Sequence, residues 1–171
     1  MSISGQEFKH VMRRWVNGVA IVTSRAGDQV HGLTVSAFTG ISLDPLLVMI
    51  SIGHNRDSYA FIKAEGKFAV NILRSDQSRL SDLFAGRMPE VHDRFEGLTY
   101  HSRATGAPIL EDCLAWLDCR VTNEFVVGDH SIFIGEVLAA DVLSEAMPLT
   151  YHDGDYIKLV REAKEAVGSK S

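Results

Sequence analysis

Cysteine is scarce in this chain, with only Cys113 and Cys119 among 171 residues. If the segment between them is extended, the two thiols lie about 20 Å apart along one strand. A disulfide tolerates a Cα separation of only about 7 Å. No His stands at a spacing that would complete a zinc site with them. Both read as buried free thiols of a cytoplasmic protein. Long apolar runs are also missing. The longest, Leu46 to Ile50, is of strand length, so nothing approaches the roughly 20 apolar residues of a membrane span. Lys9, Arg13 and Arg14 interrupt the first eighteen residues, which predicts no secretory leader there. Positive charge is not in excess either. The 17 Lys and Arg stand against 22 Asp and Glu, a formal −5, and this argues against a nucleic-acid partner.

Several motifs are absent. None of the 14 glycines forms Gly-x-Gly, so the dinucleotide fingerprint is missing. There is no Walker loop, no Gly-x-Ser-x-Gly elbow and no His-x-x-x-His pair. A chain without an evident nucleophile or metal set would draw its chemistry from a bound cofactor.

What is present fits one compact domain, at 46% hydrophobic and 23% charged residues. The pattern predicts this domain over 1–160 and a polar tail over 161–171. Ser4 and Glu7 have capping-box spacing, and Phe8, Val11, Met12 and Trp15 then recur on one helical face, closed by Asn17-Gly18. Val19–Ser24 and Gln29–Leu33 flank a hairpin turn at Ala26-Gly27-Asp28. Leu46–Ile52 reads as a strand, and Lys67–Leu73 alternates. Cys113–Phe125 also alternates, with Ala115, Leu117, Cys119 and Val121 opposite Trp116, Asp118 and Arg120. Arg56–Ala64 and Ser78–Ala85 read as short helices. The stretch 86–108 has little periodicity. Ser131–Val142 is a strand after the turn at Val127-Gly128-Asp129, and a last hairpin turns at His152–Asp155. Six or seven hairpin-linked strands without regular helical crossovers argue for an antiparallel barrel rather than a doubly wound sheet.

Three places could carry chemistry. Thr34 to Ser42 sets four hydroxyls around Gly40, either an uncharged phosphate cradle or simply a polar strand and turn. Asn55-Arg56-Asp57-Ser58 opens a helix beside an Arg, either an anion site or an ordinary cap by Asn55 or Asp57. Gly128-Asp129-His130 sits at a turn, where one His is weak evidence alone.

Taken in order, the pieces resemble the flavin reductase family of FMN-binding split barrels. The carrying residues are Gly32-Leu-Thr-Val-Ser-Ala-Phe-Thr, Ser42-Leu-Asp-Pro-Leu-Leu-Val and Phe68-Ala-Val-Asn-Ile-Leu. They continue with Asp93-Arg-Phe, Gly106-Ala-Pro-Ile-Leu, Ala115-Trp-Leu-Asp-Cys, Gly128-Asp-His-Ser-Ile-Phe-Ile-Gly-Glu-Val and Pro148-Leu-Thr-Tyr-His-Asp-Gly-Asp-Tyr. The resemblance implies a mainly β, antiparallel Greek-key split barrel with a few peripheral helices. It implies an NAD(P)H:flavin oxidoreductase, taking FMN or FAD and NADH or NADPH, active as a homodimer and supplying reduced flavin to an oxygenase component. On the flavin side it places Thr34, Val35, Ser36 and Ala37, the strand-end pair Ser51 and Ile52, Ser58, and Arg94 and Phe95. Gly128, Asp129 and His130 match the family's nicotinamide-nucleotide triplet, with His130 the candidate catalytic residue. His152-Asp153 stands where an aromatic–Arg pair is common in the family, which puts a basic contact from that hairpin in doubt. Two other readings remain, a flavin storage or sensor module and a pyridoxamine-phosphate-oxidase-like enzyme. The Gly-Asp-His triplet disfavours the latter.

Overall fold

The computed structural model of the chain describes residues 2–160; the expected tail, 161–171, lies outside them. The chain opens with α1 (Gly5–Met12) and β1 (Asn17–Gly18), then the hairpin β2 (Ala20–Ala26) and β3 (Gln29–Val35). A second hairpin, β4 (Phe38–Leu43) and β5 (Leu46–Gly53), is followed by α2 (Asp57–Glu65) and β6 (Lys67–Ile72). Next come α3 (Ser78–Phe84) and a largely irregular stretch holding β7 (Tyr100–His101) and β8 (Ile109–Leu110). The long strands β9 (Ala115–Val127) and β10 (His130–Val142) precede β11 (Thr150–His152) and β12 (Asp155–Ile157).

Seven strands form one sheet in the order β3-β2-β6-β9-β10-β5-β4, every neighbouring pair antiparallel. The order forces closure. Laid flat, the edge strands β3 and β4 would stand about 29 Å apart, at about 4.8 Å per strand. Only Ser36 and Ala37 join them, a link that reaches about 11 Å. The sheet therefore curls until its edges meet at this link, and the barrel is split along the rest of the seam. The Ser51 N–H donates to Ala37 O at 3.1 Å, tying the link to β5.

The interior holds Val22, Val48, Ile50, Ile62, Phe68, Val70 and Phe133. A second core covers the outer face, with Ile21, Ala69, Leu73, Phe84, Phe95, Ile109, Trp116 and Leu149. Strands β2 and β6 and the first part of β9, to Cys119, are thus buried on both faces, and the expected alternation of Leu117 and Cys119 with Trp116 and Asp118 becomes two covered sides. The aperiodic 86–108 region contributes to this outer cover, and buried polar groups hold its end in place. Asn71 donates to Ile21 O and Thr23 Oγ1 at 3.1 and 3.2 Å and accepts from Leu110 N–H at 2.8 Å. Asp118 accepts from Thr105 N–H at 2.9 Å and from the Thr105 hydroxyl.

Helix α1 departs from expectation in two ways. Its capping box forms, with Ser4 N–H to Glu7 Oε2 at 2.7 Å and Glu7 N–H to Ser4 Oγ at 3.2 Å. However, the helix ends at Met12, and Asn17-Gly18 pairs with β11 instead of closing it. Its apolar face is uncovered, with Phe8, Val11, Met12 and Trp15 exposed by 55, 64, 47 and 67%. Amphipathic periodicity made the helix, but nothing among the described residues buries the stripe.

Candidate functional site

Three hollows gather around the end of β3, and the Ser36–Ala37 link borders two of them. One of about 170 Å³ is lined by Thr34, Val35, Ser36, Ser81, Arg87, Tyr151 and Tyr156, among others. A second, of about 190 Å³, shares Thr34 and Ala85 with it and adds His31, Asn55, Arg56, Asp57, Ser58, Phe84 and Arg94. Together they make one groove along the end of β3. A broader hollow, about 750 Å³, opens on the other side of the link toward Met12, Trp15, Phe38 and Met49.

Each candidate can be placed. Thr34 is the penultimate residue of β3, and its hydroxyl donates to Ser81 O at 2.6 Å, fastening the strand to α3. Val35 turns its side chain into the barrel core, and Ser36 and Ala37 are exposed. Ser51 is half-buried beside the link. Ile52 is 1% exposed and belongs to the interior core, so only its backbone could meet a ligand. Ser58 is buried at the start of α2, with its hydroxyl 2.6 Å from His31 Nδ1. The α2 N-cap is Arg56, which makes no side-chain cap bond, so neither Asn55 nor Asp57 caps the helix as the plain alternative required. Its first-turn N–H groups and positive dipole end therefore face the groove beside two guanidiniums, those of Arg56 and Arg94. The Arg94 guanidinium approaches Gly32 O and Phe84 O, both at 3.5 Å. Phe95 is buried and meets Phe84 and Tyr100 edge to face at 5.1 and 5.6 Å, so it supports the groove floor.

Gly128 takes the left-handed conformation, φ 61°, that makes the β9–β10 turn. His130 follows, half exposed, with Nδ1 2.7 Å from Asp129 Oδ1. This bond holds the Asp129 carboxyl below its usual range and leaves Nε2 as the outward nitrogen. His130 pairs with Gly53 across the sheet. A Cβ built on Gly53 would lie 3.4 Å from His130 Nε2 and 3.0 Å from Asn55 Oδ1, so the imidazole stands beside the entrance to α2. Strand β5 is the ruler here. Ser51 touches the link and Gly53 touches His130, two residues or about 6.6 Å further on.

Several groove residues gave no signal in the sequence. His31 lies between Ser58 and Asp57, with its Nε2 3.8 Å from an Asp57 oxygen and its ring 5.0 Å from that of Phe61. Burial pushes its pKa below the usual value, Asp57 opposes this, and Arg94 adds to it. Arg87 bonds Asp82 at 2.8 Å and Tyr151 OH at 3.2 Å, and Tyr156 OH donates to Asp82 at 2.7 Å. Thus the basic group against Tyr151 of the last hairpin comes from Arg87, three residues beyond α3. Asp153, where the family often has a basic residue, is instead paired with Arg14 at 3.0 Å. The two thiols are remote from this groove chemistry. Cys113 and Cys119 are buried and free, and burial pushes their pKa values up to about 11 and about 12. Among the described residues no cluster of His, Cys, Asp or Glu could hold a metal ion, and no helix is long and apolar enough to cross a membrane.

Comparison with known proteins agrees with the fold. The family model described as a flavin reductase like domain matches residues 12–159. An NADH-dependent FMN reductase, AsuE2 of Streptomyces nodosus subsp. asukaensis, is 36% identical over 160 residues, covering 90% of this chain and 84% of that protein. The reductase component of an FADH(2)-dependent resorcinol hydroxylase from Rhizobium sp. (strain MTP-10005) is 34% identical, covering 89% and 86%. The solved structure of flavin reductase PheA2 superposes with a TM-score of 0.86 at 36% identity, over 93% of this chain and all of that one. With a family model spanning nearly the whole described barrel, the chain belongs to the flavin reductase-like family.

Proposed function

We propose that the chain is an NAD(P)H-dependent flavin reductase that takes FMN or FAD and passes the reduced flavin to a separate oxygenase component. The observation that carries this reading is the continuity of the groove. It runs from the exposed Ser36 past Thr34 to Ser58, Arg56 and Arg94, with the His130 imidazole beside the far end. The donor set suits a phosphate: a hydroxyl, two guanidiniums and the uncapped N–H groups of α2. The walls suit a planar ring, with Val35, Ala85 and Tyr151 lining the other hollow. When bound, the flavin supplies the hydride acceptor and the nicotinamide the donor. The protein's own part is placement. The backbone of Thr34–Ala37 would hold the ring, Ser58 and Arg94 the phosphate, and His130 the nicotinamide nucleotide, its tautomer fixed by Asp129.

The uncovered α1 face and the apolar hollow beside Ser36 and Ala37 support a homodimer in which a second copy completes the groove. Light scattering should give twice the 18.8 kDa chain mass; a monomer with full activity would remove this shared site. A cytoplasmic location accords with two free thiols.

The test is NADH or NADPH consumption at 340 nm with FMN or FAD added in each combination. Turnover should require added or bound flavin. His130→Ala should lower kcat/KM for the nicotinamide substrate by about tenfold to a hundredfold and leave flavin affinity intact. No oxidation in any combination would leave only a flavin-binding module. Wild-type kinetics in the variant would reduce His130 to part of a turn.

A further inference from the structure

Beneath the β9–β10 turn, a polar cluster occupies the end of the barrel where apolar packing would be expected. Ser131, next to His130, is fully buried. Its hydroxyl lies 2.8 Å from Glu124 Oε1 and 3.0 Å from His54 Nε2. Tyr59 OH donates to the same Glu124 oxygen at 3.0 Å, and Lys63 Nζ reaches Tyr59 OH at 2.9 Å and Glu124 Oε2 at 3.5 Å. The His54 ring lies against Tyr59 with centroids 4.8 Å apart, and the His54 backbone N–H donates to Asp129 O at 3.0 Å.

The direction of these bonds follows from proton counting. A carboxylate only accepts, so the single Ser131 proton goes to Glu124. Ser131 Oγ must then accept from His54, which puts a proton on His54 Nε2. Tyr59 likewise accepts from Lys63 and donates to Glu124. Glu124 is the acceptor on which both chains end, and the Ser131 bond is the main reason its pKa falls below the usual carboxylate range. The side chain is only 22% exposed, and a half-buried charge with three polar partners is a poor way to gain stability over a well-packed apolar side chain. It is a good way to fix an angle, because each bond is directional. What it fixes is specific. Ser131 follows His130 on β10, and His54 follows Gly53, the residue opposite His130 on β5. Because the strands are antiparallel, Ser131 lies opposite Ile52 on one side of the His130–Gly53 pair and His54 lies beside Asp129 on the other, so the cluster brackets the pair.

We propose that Glu124, acting through Ser131 and His54, is the positioning residue that sets the His130 imidazole against the start of α2 for contact with the nicotinamide nucleotide. This rests on the reading of His130 given above. Glu124 lines neither hollow of the groove, so its effect must pass through His130, and a mutant cycle detects that dependence.

The experiment is stopped-flow reduction of bound flavin at varied NADH in wild type, Glu124→Gln, His130→Ala and the double variant, with flavin affinity by fluorescence titration. Glu124→Gln keeps the shape but gives up the charge and one acceptor oxygen. It should lower the second-order reduction rate about tenfold, change flavin affinity less than about twofold, and cause no further loss when His130 is already Ala. Equal losses in both backgrounds, or no loss in the wild-type background, would overturn the positioning role. A silent His130→Ala would instead overturn the nicotinamide reading, and the proposal with it. If Glu124→Gln folds poorly, Tyr59→Phe removes one donor to Glu124 while keeping the ring. The same loss, smaller and again absent without His130, is then expected, and its persistence without His130 would refute the proposal.

Discussion

Gly32 lies in β3 opposite Thr23 and directly behind the groove. A Cβ there would stand 2.6 and 2.8 Å from Cε1 and Cδ1 of Phe84 and 3.3 Å from Cζ of Phe95. Carbon atoms settle at about 3.5–4.0 Å, so Gly32→Ala requires the Phe84 ring to retreat by roughly 1 Å. One way is closed, because Phe84 abuts Phe95 edge to face at 5.1 Å and Phe95 abuts Tyr100 at 5.6 Å. The other way leads into the hollow that Phe84 lines with Thr34, Ser58 and Arg94. Overpacking of this kind costs about 1–3 kcal/mol. At about 2–4 °C per kcal/mol for a chain of this size, 2 kcal/mol would lower Tm by about 4–8 °C. Ring displacement into a hollow of about 190 Å³ should also weaken flavin binding, by about tenfold or 1.4 kcal/mol. Thermal unfolding and flavin fluorescence titration measure the two effects separately. Gly40→Ala is the control, since nothing lies within 4 Å of its Cβ position, and it should stay within about 1 kcal/mol of wild type. Phe84→Leu should relieve part of the flavin defect of Gly32→Ala by making room for the new methyl. A Gly32→Ala protein with wild-type Tm and flavin affinity would refute the assignment of this hollow to flavin and the packing argument together.

Two further outcomes follow from buried polar groups. Asn71→Leu strands the Leu110 N–H and Ile21 O partners that Asn71 holds at 2.8 and 3.1 Å, and should cost about 2–4 kcal/mol in urea unfolding. A loss under about 0.5 kcal/mol would mean that the outer cover is not pinned there. The His31 pKa is depressed in the fold, chiefly by burial, so the unfolded chain binds its proton more readily. Its contribution to stability is therefore complete above the unfolded value of about 6.5 and is lost as pH falls from there through the folded pKa. His31→Gln should flatten the stability curve between about pH 7 and pH 5 relative to wild type, read by thermal unfolding across that range; identical slopes would show that His31 is not the titrating group.

Local chemistry was legible in the sequence and long-range placement was not. The capping box at Ser4 and Glu7 formed as its spacing required. The Ala26-Gly27-Asp28 turn closed the expected hairpin, with Gly27 at φ 56°. Yet the apolar stripe on α1 could not say what would cover it, because periodicity reports only that a face is apolar. Strand β4 was hidden among the hydroxyls of 34–42; Gly40 weakens the strand pattern there, and the register slips between Gly40 and Ser42. The region 86–108 was opaque for a related reason. Thr105 is held by Asp118 and Leu110 by Asn71, and side-chain bonds to distant residues leave no period behind. In the site, Thr34–Ala37 and Gly128–His130 are contiguous and could be singled out. His31, His54 and Glu124 could not, since each acquires meaning only from a partner on another element.

These hidden residues share one physical role. Asn71 and Asp118 hold segments that lack regular backbone pairing, and Glu124 fixes the ends of two strands where the sheet runs out. Apolar contact alone would bury these places at lower cost in desolvation, but it would leave their angles soft. Softness matters unusually in this molecule. Hydride transfer between two bound rings needs no nucleophile or metal from the protein, so rate depends on holding the reacting atoms at about 3–3.5 Å with the right alignment. On the site proposed above, a link of two residues, an uncapped helix start and a turn histidine would have to keep their mutual positions through every cycle of binding and release. Directional bonds buried at the barrel's open end meet that demand more directly than a larger core would.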